Sequence, residues 1–287
     1  MTARVSEDAS TQPHSVDVRE RREQIREEVM ATGFVRIEDL AERYHLSIMT
    51  IHRDLDALQS EGWLRKVRNG ATAEPSTEHH GDRRYRATAM ADAKALIAAA
   101  AIQLVEAGNA VMIDDSTTAL ALVELLSTHG PLSVISNSLP VINRMSKEPG
   151  IDLIALGGAY YPAYDAFLGM RTSEAIRSLR ANVVFMSPTA VTNGQCYHQS
   201  QETVAVKRAM IESADRTVLL LDHTKFRKSG VYQLAALTDF DLVIVDNDTP
   251  EPELAALRAQ GVQFHVASSE PDHPLAWAAA GTTEELA

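Results

Sequence analysis

The chain of 287 residues has a single cysteine, Cys196, so it cannot form an intramolecular disulfide. Disulfide frameworks are typical of secreted domains, and the lack of one fits a reducing cytosol. No apolar run approaches the ~20 residues that a membrane-spanning helix needs. The amino-terminal residues also lack the charged and then apolar pattern of a signal peptide. We therefore expect a cytoplasmic protein with no membrane partner.

The chain also lacks an excess of basic residues. It has 27 Lys and Arg against 39 Asp and Glu, which gives a formal net charge of -12. This balance argues against attraction of nucleic acid by the molecule as a whole. A surface that binds nucleic acid must be local, and its affinity should depend strongly on salt and on dimer formation. The length suggests about two domains.

Three helices and a basic hairpin are predicted near the amino terminus. Apolar periodicity and end signals place the helices near residues 18–31, 37–44 and 48–60. Ser47 can cap the third helix. Residues 63–71 have the pattern of a strand, a tight Asn69-Gly70 turn and the start of a return strand. This order predicts a winged helix-turn-helix.

The third helix of this segment has a free polar face. Ile51, Leu55 and Leu58 recur at helical spacing and would pack on the other two helices. The first turns of such a helix present side chains to base edges in the major groove, while a basic wing meets phosphates. The candidate DNA-binding residues are Ser47, Thr50, His52, Arg53, Arg65, Lys66 and Arg68. The alternative is a small helical domain with a solvated basic hairpin.

Short apolar runs alternate with helical segments in the rest of the chain. Strands are predicted at 110–114, 132–136, 151–156, 183–187, 217–222, 241–246 and 262–266, and helices at 89–106, 117–127, from 139, at 172–180, 202–213 and 251–260. Continuous apolar runs are typical of parallel strands that are buried on both faces. The pattern predicts an α/β fold with a doubly wound, mostly parallel sheet.

Composition divides the chain into five parts. Polar stretches with Ser, Thr, Pro and Gly fall at both ends and between the two folded regions. We expect a disordered tail at 1–16, a winged helix-turn-helix at 17–74, a linker at 75–87, an α/β domain at 88–267 and a flexible tail at 268–287.

Polar residues follow several predicted strands, at the edge where doubly wound sheets bind ligands. Hydroxyls, free backbone N–H groups and a lysine favour an anion, and several such clusters together suit a phosphorylated metabolite. These effector-binding candidates are Asp114, Ser116, Thr117, Thr118, Asn137, Ser138, Gly157, Gly158, Asp222 and Lys225. Ordinary helix capping is the alternative for any one cluster.

Both parts of the chain resemble the DeoR family of bacterial sugar-responsive transcription regulators. The first part carries the run Thr50–Leu55 with Leu58, the segment 61–64 and the basic wing, although His52 stands where the family usually has an arginine. In the second part, family motifs match Asp114 with 116–118, Asn137-Ser138, Gly157-Gly158, Gly169, Glu202, 207–210, Asp222, Lys225 and Phe226.

The resemblance implies a sensor domain similar in fold to ribose-phosphate isomerases, with Glu202 as a further effector-binding residue. It implies a DNA-binding regulator, most often a repressor, of a carbohydrate catabolic operon, whose DNA affinity changes when a sugar phosphate binds. The expected partners are double-stranded operator DNA and a small phosphorylated metabolite. We expect a homodimer or homotetramer on half-sites about 34 Å apart.

Two departures from the family pattern fall near the expected site. Residues 187–190 lack the carboxylate that many members carry there, and Ala159-Tyr160-Tyr161 replaces an arginine. Tyr160, Tyr161 and Tyr164 either line the site or pack at a loop.

An isomerase of related fold is the rival class, and it would need a positioned carboxylate. Asp222 or Glu202 could supply one beside Lys225. We nevertheless expect no enzyme, because sensing explains both domains and catalysis explains only one.

A metal protein is the third class. Cys196 and His198 have no second matching pair, which gives a structural zinc site little support. His79-His80 fits a solvated linker, while His198 with Gln199 and Gln201 could instead reach a ligand. We expect neither a metal nor a cofactor.

Overall fold

A computed structural model describes residues 18–32, 34–60, 64–72, 83–269 and 275. The chain divides into two compact units, residues 1–82 and 83–287. The predicted disordered tail, the Trp63 end of the predicted hairpin, His79-His80 and most of the linker and of the carboxy-terminal tail lie outside the described residues. Leu275, from the predicted flexible tail, donates its backbone N–H to Gln103 Oε1 at 2.8 Å.

The first unit packs three helices on a small antiparallel sheet. Its elements are α1 (Val18–Thr32), β1 (Phe34–Arg36), α2 (Ile37–Arg43), α3 (Ile48–Ser60), β2 (Arg65–Val67) and β3 (Gly70–Thr72). The helices and the hairpin agree with the prediction, whereas β1 was missed. It pairs with β3, and three residues are too few to show an alternating pattern. Ile25, Leu40, Ile51 and Leu55 form the centre of the core.

The second unit is larger, and its first helix begins inside the segment predicted as linker. Its elements are α4 (Arg83–Thr88), α5 (Ala91–Ala101), a 3₁₀ turn (Ile102–Leu104), β4 (Ala110–Ile113), α6 (Thr117–Leu126), β5 (Leu132–Ser136), α7 (Leu139–Met145), β6 (Ile151–Ala155), β7 (Ala159–Tyr161), β8 (Ala166–Leu168), α8 (Met170–Arg177), β9 (Val183–Met186), β10 (Ala190–Thr192), β11 (Gln195–His198), α9 (Gln201–Glu212), β12 (Thr217–Leu221), a 3₁₀ turn (His223–Arg227), β13 (Tyr232–Ala236), a 3₁₀ turn (Leu237–Asp239), β14 (Leu242–Asp246), α10 (Glu251–Ala259) and β15 (Phe264–Ala267).

The main sheet has seven strands in the order β15-β14-β12-β9-β4-β5-β6, and every pair is parallel. These are the seven predicted strands, so the predicted doubly wound α/β fold is confirmed. From the centre of the sheet, the strands follow chain order outward as β4, β5 and β6 on one side and as β9, β12, β14 and β15 on the other. The order therefore reverses between β4 and β9, which is where such sheets form their ligand crevice.

Helices cover both faces of the sheet, and each face has its own core. One core includes Ile97 of α5, Leu122 of α6 and Val141 of α7. The other includes Ile176 of α8 and Val206 of α9, with Leu257 of α10. Strands that are buried on both sides explain why the sequence shows continuous apolar runs instead of alternation.

The helix predicted at 89–106 is confirmed as α5 over Ala91–Ala101, and both of its predicted ends are too long. Met90 has a left-handed φ of 56°, which separates α4 from α5, and residues 102–104 tighten into a 3₁₀ turn. The prediction also missed the β7–β8 hairpin and the antiparallel sheet β10-β11-β13. Most of these strands have three or four residues, too few to show alternation, and only the pairing of β13 with β11 joins strands that are distant in the chain.

Candidate functional site

The outer face of α3 carries the side chains that were predicted to contact bases. Ile51 and Leu55 are fully buried, so Arg53 projects into solvent. Ser47 Oγ accepts from Thr50 N at 3.2 Å, which is the predicted helix cap, and its hydroxyl lies 2.9 Å from Thr50 Oγ1. The structure thus places Ser47, Thr50, His52 and Arg53 together at one end of α3, with His52 partly covered.

A buried carboxylate fixes the orientation of this helix. Asp54 is only 2% exposed, and its two oxygens accept from Arg21 Nε at 2.8 Å and Arg22 Nε at 2.9 Å. Both arginines lie on α1, so the ion pairs tie α1 to α3 next to Arg53. Asp54 is part of the family motif Thr50–Leu55. It stabilises the outer face of α3 from below and does not form part of that face.

The wing keeps Arg68 exposed at its turn and Arg65 exposed on β2. Lys66 has an ion-pair partner within the unit, because its Nζ lies 2.5 Å from Asp56 Oδ1 on α3. Its backbone N–H also donates to Gln59 Oε1 at 2.7 Å. Lys66 therefore links the wing to α3. A contact between Lys66 and a DNA phosphate would compete with this ion pair.

In the second unit, Asp114 and Lys207 meet at the switch point between β4 and β9. Asp114 is fully buried, and its oxygens accept from Ser116 N and Ser187 N, both at 2.9 Å, and from Lys207 Nζ. Lys207 Nζ also lies 3.2 Å from Asp115 Oδ1. Burial alone would lower the pKa of Lys207, but the two carboxylates raise it. Asp114 was predicted to bind effector, yet both its oxygens are used internally to anchor Lys207.

Several buried polar atoms around this point have no hydrogen-bond partner within the described residues. They follow β5 and β9 or lie in the first turns of α6 and α9. They are Thr118 Oγ1, Asn137 Oδ1, Ser138 Oγ, Ser187 Oγ and Thr203 Oγ1. A buried polar group without a partner costs about 1–3 kcal/mol, so such a set is expected to have a ligand or bound water. Ser187 and Thr203 were not predicted from the sequence.

Basic side chains gather at the same edge of the sheet. Lys94 Nζ donates to Thr117 Oγ1 at 3.1 Å and to the carbonyl of Arg86. Burial and the nearby Lys225 lower the pKa of Lys94 to about 8. Burial and Lys225 likewise lower the pKa of Lys228 to about 7. Burial is the larger cause of both shifts, and the neighbouring lysines add repulsion that an anion would relieve.

Asp222 caps the turn that carries Lys225. Its Oδ1 accepts from Thr224 N at 3.2 Å, and its Oδ2 lies 3.7 Å from Lys225 Nζ. Burial would raise the pKa of Asp222, but Lys225 and Lys228 lower it to about 2. Burial lowers the pKa of Lys225, although Asp222 opposes this effect. Asp222 therefore positions Lys225, which is itself 8% exposed.

The remaining predicted residues serve mainly as local structure. Ser116 Oγ accepts from Ala119 N at 3.1 Å as the cap of α6. The carbonyl of Gly157 accepts from Thr172 Oγ1 at 2.9 Å, and Gly158 has a φ of 155° with Thr172 where a Cβ would stand. Glu202 is exposed and accepts from Ser200 Oγ at 3.0 Å.

Two of the three tyrosines and His198 pack in the interior of the unit, and the third tyrosine is exposed. Tyr161 and Tyr164 pack against the core, and the ring of Tyr164 lies 5.5 Å from that of His198. His198 is buried, and its Nδ1 accepts from Ser200 N at 3.1 Å. Tyr160 is exposed and donates to Asp165 Oδ1 at 2.8 Å.

Asp246 holds His223, the residue after Asp222, through several hydrogen bonds. Its Oδ1 accepts from the backbone of His223 at 2.7 Å and from Thr249 Oγ1 at 3.0 Å, and its Oδ2 lies 2.6 Å from His223 Nδ1. Asp248 brings another carboxylate within 4.8 Å of this pair. Asp246 already contacts His223 through both carboxylate oxygens. We therefore interpret the cluster of His223, Asp246 and Asp248 as stabilising the 3₁₀ turn at 223–227.

The comparisons with known proteins match both units. The DeoR-like helix-turn-helix domain matches residues 21–77, and the DeoR C terminal sensor domain matches residues 89–247. No helix among the described residues has both the length and the apolar character that crossing a bilayer requires.

Relatives of the chain are similar over nearly their whole length. A putative aga operon transcriptional repressor of Escherichia coli O157:H7 is 29% identical, over 89% of this chain and 96% of that protein. A lactose phosphotransferase system repressor of Lactococcus lactis subsp. lactis is 30% identical, over 79% and 90%. The glycerol-3-phosphate regulon repressor of Escherichia coli K12 is 25% identical, over 83% and 94%. The chain belongs to the DeoR family of DNA-binding transcriptional regulators.

Proposed function

We propose that this protein represses a carbohydrate catabolic operon and that a phosphorylated sugar, bound at the β4–β9 switch point, changes its affinity for the operator. The observation that carries the proposal is the set of unpartnered hydroxyl and amide oxygens beside crowded lysines. Hydroxyl and amide groups suit the hydroxyls of a sugar, and lysines suit its phosphate. The relatives named as repressors of sugar operons support the same conclusion.

The ligand can influence the start of the sensor unit directly. The chain enters this unit through α4, and Lys94 links the Arg86 carbonyl to Thr117 in the first turn of α6. A phosphate that attracts Lys94 would change this link. We propose that α4 passes the change to the preceding segment and so to the DNA-binding unit, with coupling limited by the ligand's preference for one state.

We propose that the protein acts as a homodimer or homotetramer in the cytoplasm and has no enzymatic activity. Two recognition helices would then meet half-sites about 34 Å apart. A turnover assay on phosphopentoses and phosphohexoses tests the last point, with Asp222→Ala as control. Conversion of a sugar phosphate that Asp222→Ala abolishes would contradict the proposal.

Selection of genomic fragments by the purified full-length protein tests the proposal as a whole. We expect it to prefer particular fragments over random duplex at moderate ionic strength. We also expect a sugar phosphate to raise its melting temperature and to change that preference. Absence of any preference would overturn the DNA-binding assignment, and a selected fragment that no sugar phosphate affects would overturn the effector assignment.

Arg53→Ala should weaken binding to the selected fragment by roughly 1–3 kcal/mol, because a bidentate contact to guanine would be lost. Titration of labelled duplex at physiological salt measures the effect. Lys147→Ala, which removes an exposed cation from the other unit, is the matched control. An unchanged affinity of Arg53→Ala would remove Arg53 from the contact surface.

Effector affinity should fall as pH rises from 7 to 9. Lys94 and Lys228 have pKa values of about 8 and about 7, so both ammonium groups lose their protons over this range. A phosphate dianion binds the protonated forms, and linkage then predicts a loss of about tenfold or more. Isothermal titration of the full-length protein with the stabilising sugar phosphate measures it.

Lys228→Arg provides the control for this pH dependence, because arginine keeps its charge throughout the range. The variant should lose less affinity than the wild type between pH 7 and 9. A wild-type affinity that is constant over this range would show that these lysines do not hold the phosphate.

A further inference from the structure

Two large apolar side chains are exposed at the start of α3. Ile48 is 51% exposed and Met49 is 63% exposed, and they stand between Ser47 and Thr50. Single exposed apolar residues are common on protein surfaces. Ile48 and Met49 need a specific explanation, because they are adjacent and lie within the group of polar and basic side chains that was predicted to contact base edges.

Helical spacing places both side chains among the candidate contact residues. Met49 lies one turn before Arg53, and Ile48 lies one turn before His52. The fully buried Ile51 marks the core-facing side of the helix, opposite Met49, and Ile48 lies at the border of that side. Met49 and Arg53 therefore project on the same side, away from the core.

The major groove offers one apolar group to such a surface, the C5 methyl of thymine. We propose that Ile48 and Met49 contact thymine methyl groups, so that the protein selects operators with thymine beneath the first turn of α3. The inference rests on the DNA-binding function proposed above. Hydroxyls and a guanidinium satisfy the hydrogen-bonding atoms of bases, whereas apolar groups gain from covering a methyl group.

Replacement of thymine by deoxyuridine tests this inference, since it removes the methyl group and keeps the pairing. The probe is the genomic fragment that the full-length protein selects, synthesised with thymine or with deoxyuridine in the protected region. At about 0.8 kcal/mol for one buried methyl, wild-type affinity should fall about fourfold per half-site and about sixteenfold for two.

Variants assign the difference to these two side chains. Met49→Gln and Ile48→Gln should each bind the thymine probe more weakly and should bring the thymine-to-deoxyuridine ratio toward one. Val18→Gln is the matched control, because Val18 is an exposed apolar residue on α1 at 47% exposure. It should keep the wild-type ratio. Both test positions are largely exposed, so unchanged melting temperatures are expected for the variants.

Other outcomes would overturn the inference. Equal wild-type affinity for the two probes would show that no thymine methyl is contacted, while DNA binding itself would stand. A thymine-to-deoxyuridine affinity ratio that is unchanged in both variants would show that the methyl effect comes from DNA shape and not from these side chains. Loss of self-association in Met49→Gln, with an unchanged ratio, would show that these side chains contact another copy of the chain. Failure to select any genomic fragment would instead overturn the proposed function.

Discussion

Lys207→Met should destabilise the protein by about 3–5 kcal/mol, because it leaves two carboxylates buried without their cation. Asp114 is fully buried and Asp115 is 4% exposed, and both face Lys207 Nζ. Methionine keeps most of the side-chain volume, so the effect reports the charge. Urea denaturation of the full-length protein, followed by circular dichroism, measures the free energy of unfolding.

The pH dependence of this loss gives a second readout. Burial raises the pKa of Asp115, and Lys207 more than compensates, so the net direction is downward in the wild type. Without Lys207 the pKa of Asp115 should rise above its unfolded value. Such a group stabilises the folded state below the unfolded pKa, and this contribution disappears as pH rises. The difference between variant and wild type should therefore shrink at acidic pH.

Two controls identify the cause of the effect. Lys147→Met removes an exposed lysine and should change stability by no more than about 0.5 kcal/mol. Adding Asp115→Asn to Lys207→Met should restore part of the loss, because one buried charge is gone, and the cycle gives the coupling energy. A Lys207→Met protein as stable as the wild type at neutral pH would contradict the ion-pair assignment.

Lys225→Ala should abolish the response to effector and leave operator binding intact. Lys225 is 8% exposed, so its contact with a phosphate would be largely shielded from water. Loss of one partner of a buried charge pair costs about 2–5 kcal/mol, which is roughly thirtyfold or more in effector affinity. Operator binding with and without sugar phosphate measures the response, and isothermal titration measures the affinity.

Arg227→Ala is the matched control, because Arg227 is an exposed cation on the same 3₁₀ turn. It should respond like the wild type. Lys228 remains beside Asp222 in the Lys225→Ala variant, so the buried carboxylate keeps a cation. A Lys225→Ala protein that releases or binds DNA at the same effector concentration as the wild type would refute the assignment of Lys225 to the phosphate.

The sequence predicted the fold well because the main elements are set by local patterns. Each strand of the parallel sheet is an apolar run between polar residues, and the helices of both units show their own periodicity or caps. Ser47 capping α3 is an example of a local rule that the structure bears out. The strands of the β7–β8 hairpin and of the β10–β11 hairpin have only three or four residues, too few to show such a pattern, and the pairing of β13 with β11 depends on a distant segment.

The candidate site was predicted only in part. Asn137, Ser138 and Thr118 follow strands, and a strand end is recognisable in the sequence. Lys94 and Lys207 lie inside helices, where a lysine usually points to solvent. Helical spacing does place Lys94 in line with the buried Ile97 and Lys207 in line with the buried Met210, but the prediction did not use this signal.

The sequence by itself determined which segments form strands and helices, where their polar ends fall and which family the chain resembles. Only the tertiary structure decided which charges meet. Asp114 and Lys207 are 93 positions apart, and Lys94 and Thr117 are 23 apart. A buried cation requires carboxylate or hydroxyl partners, and such partners are supplied by folding, since local periodicity carries no information about contacts between distant residues.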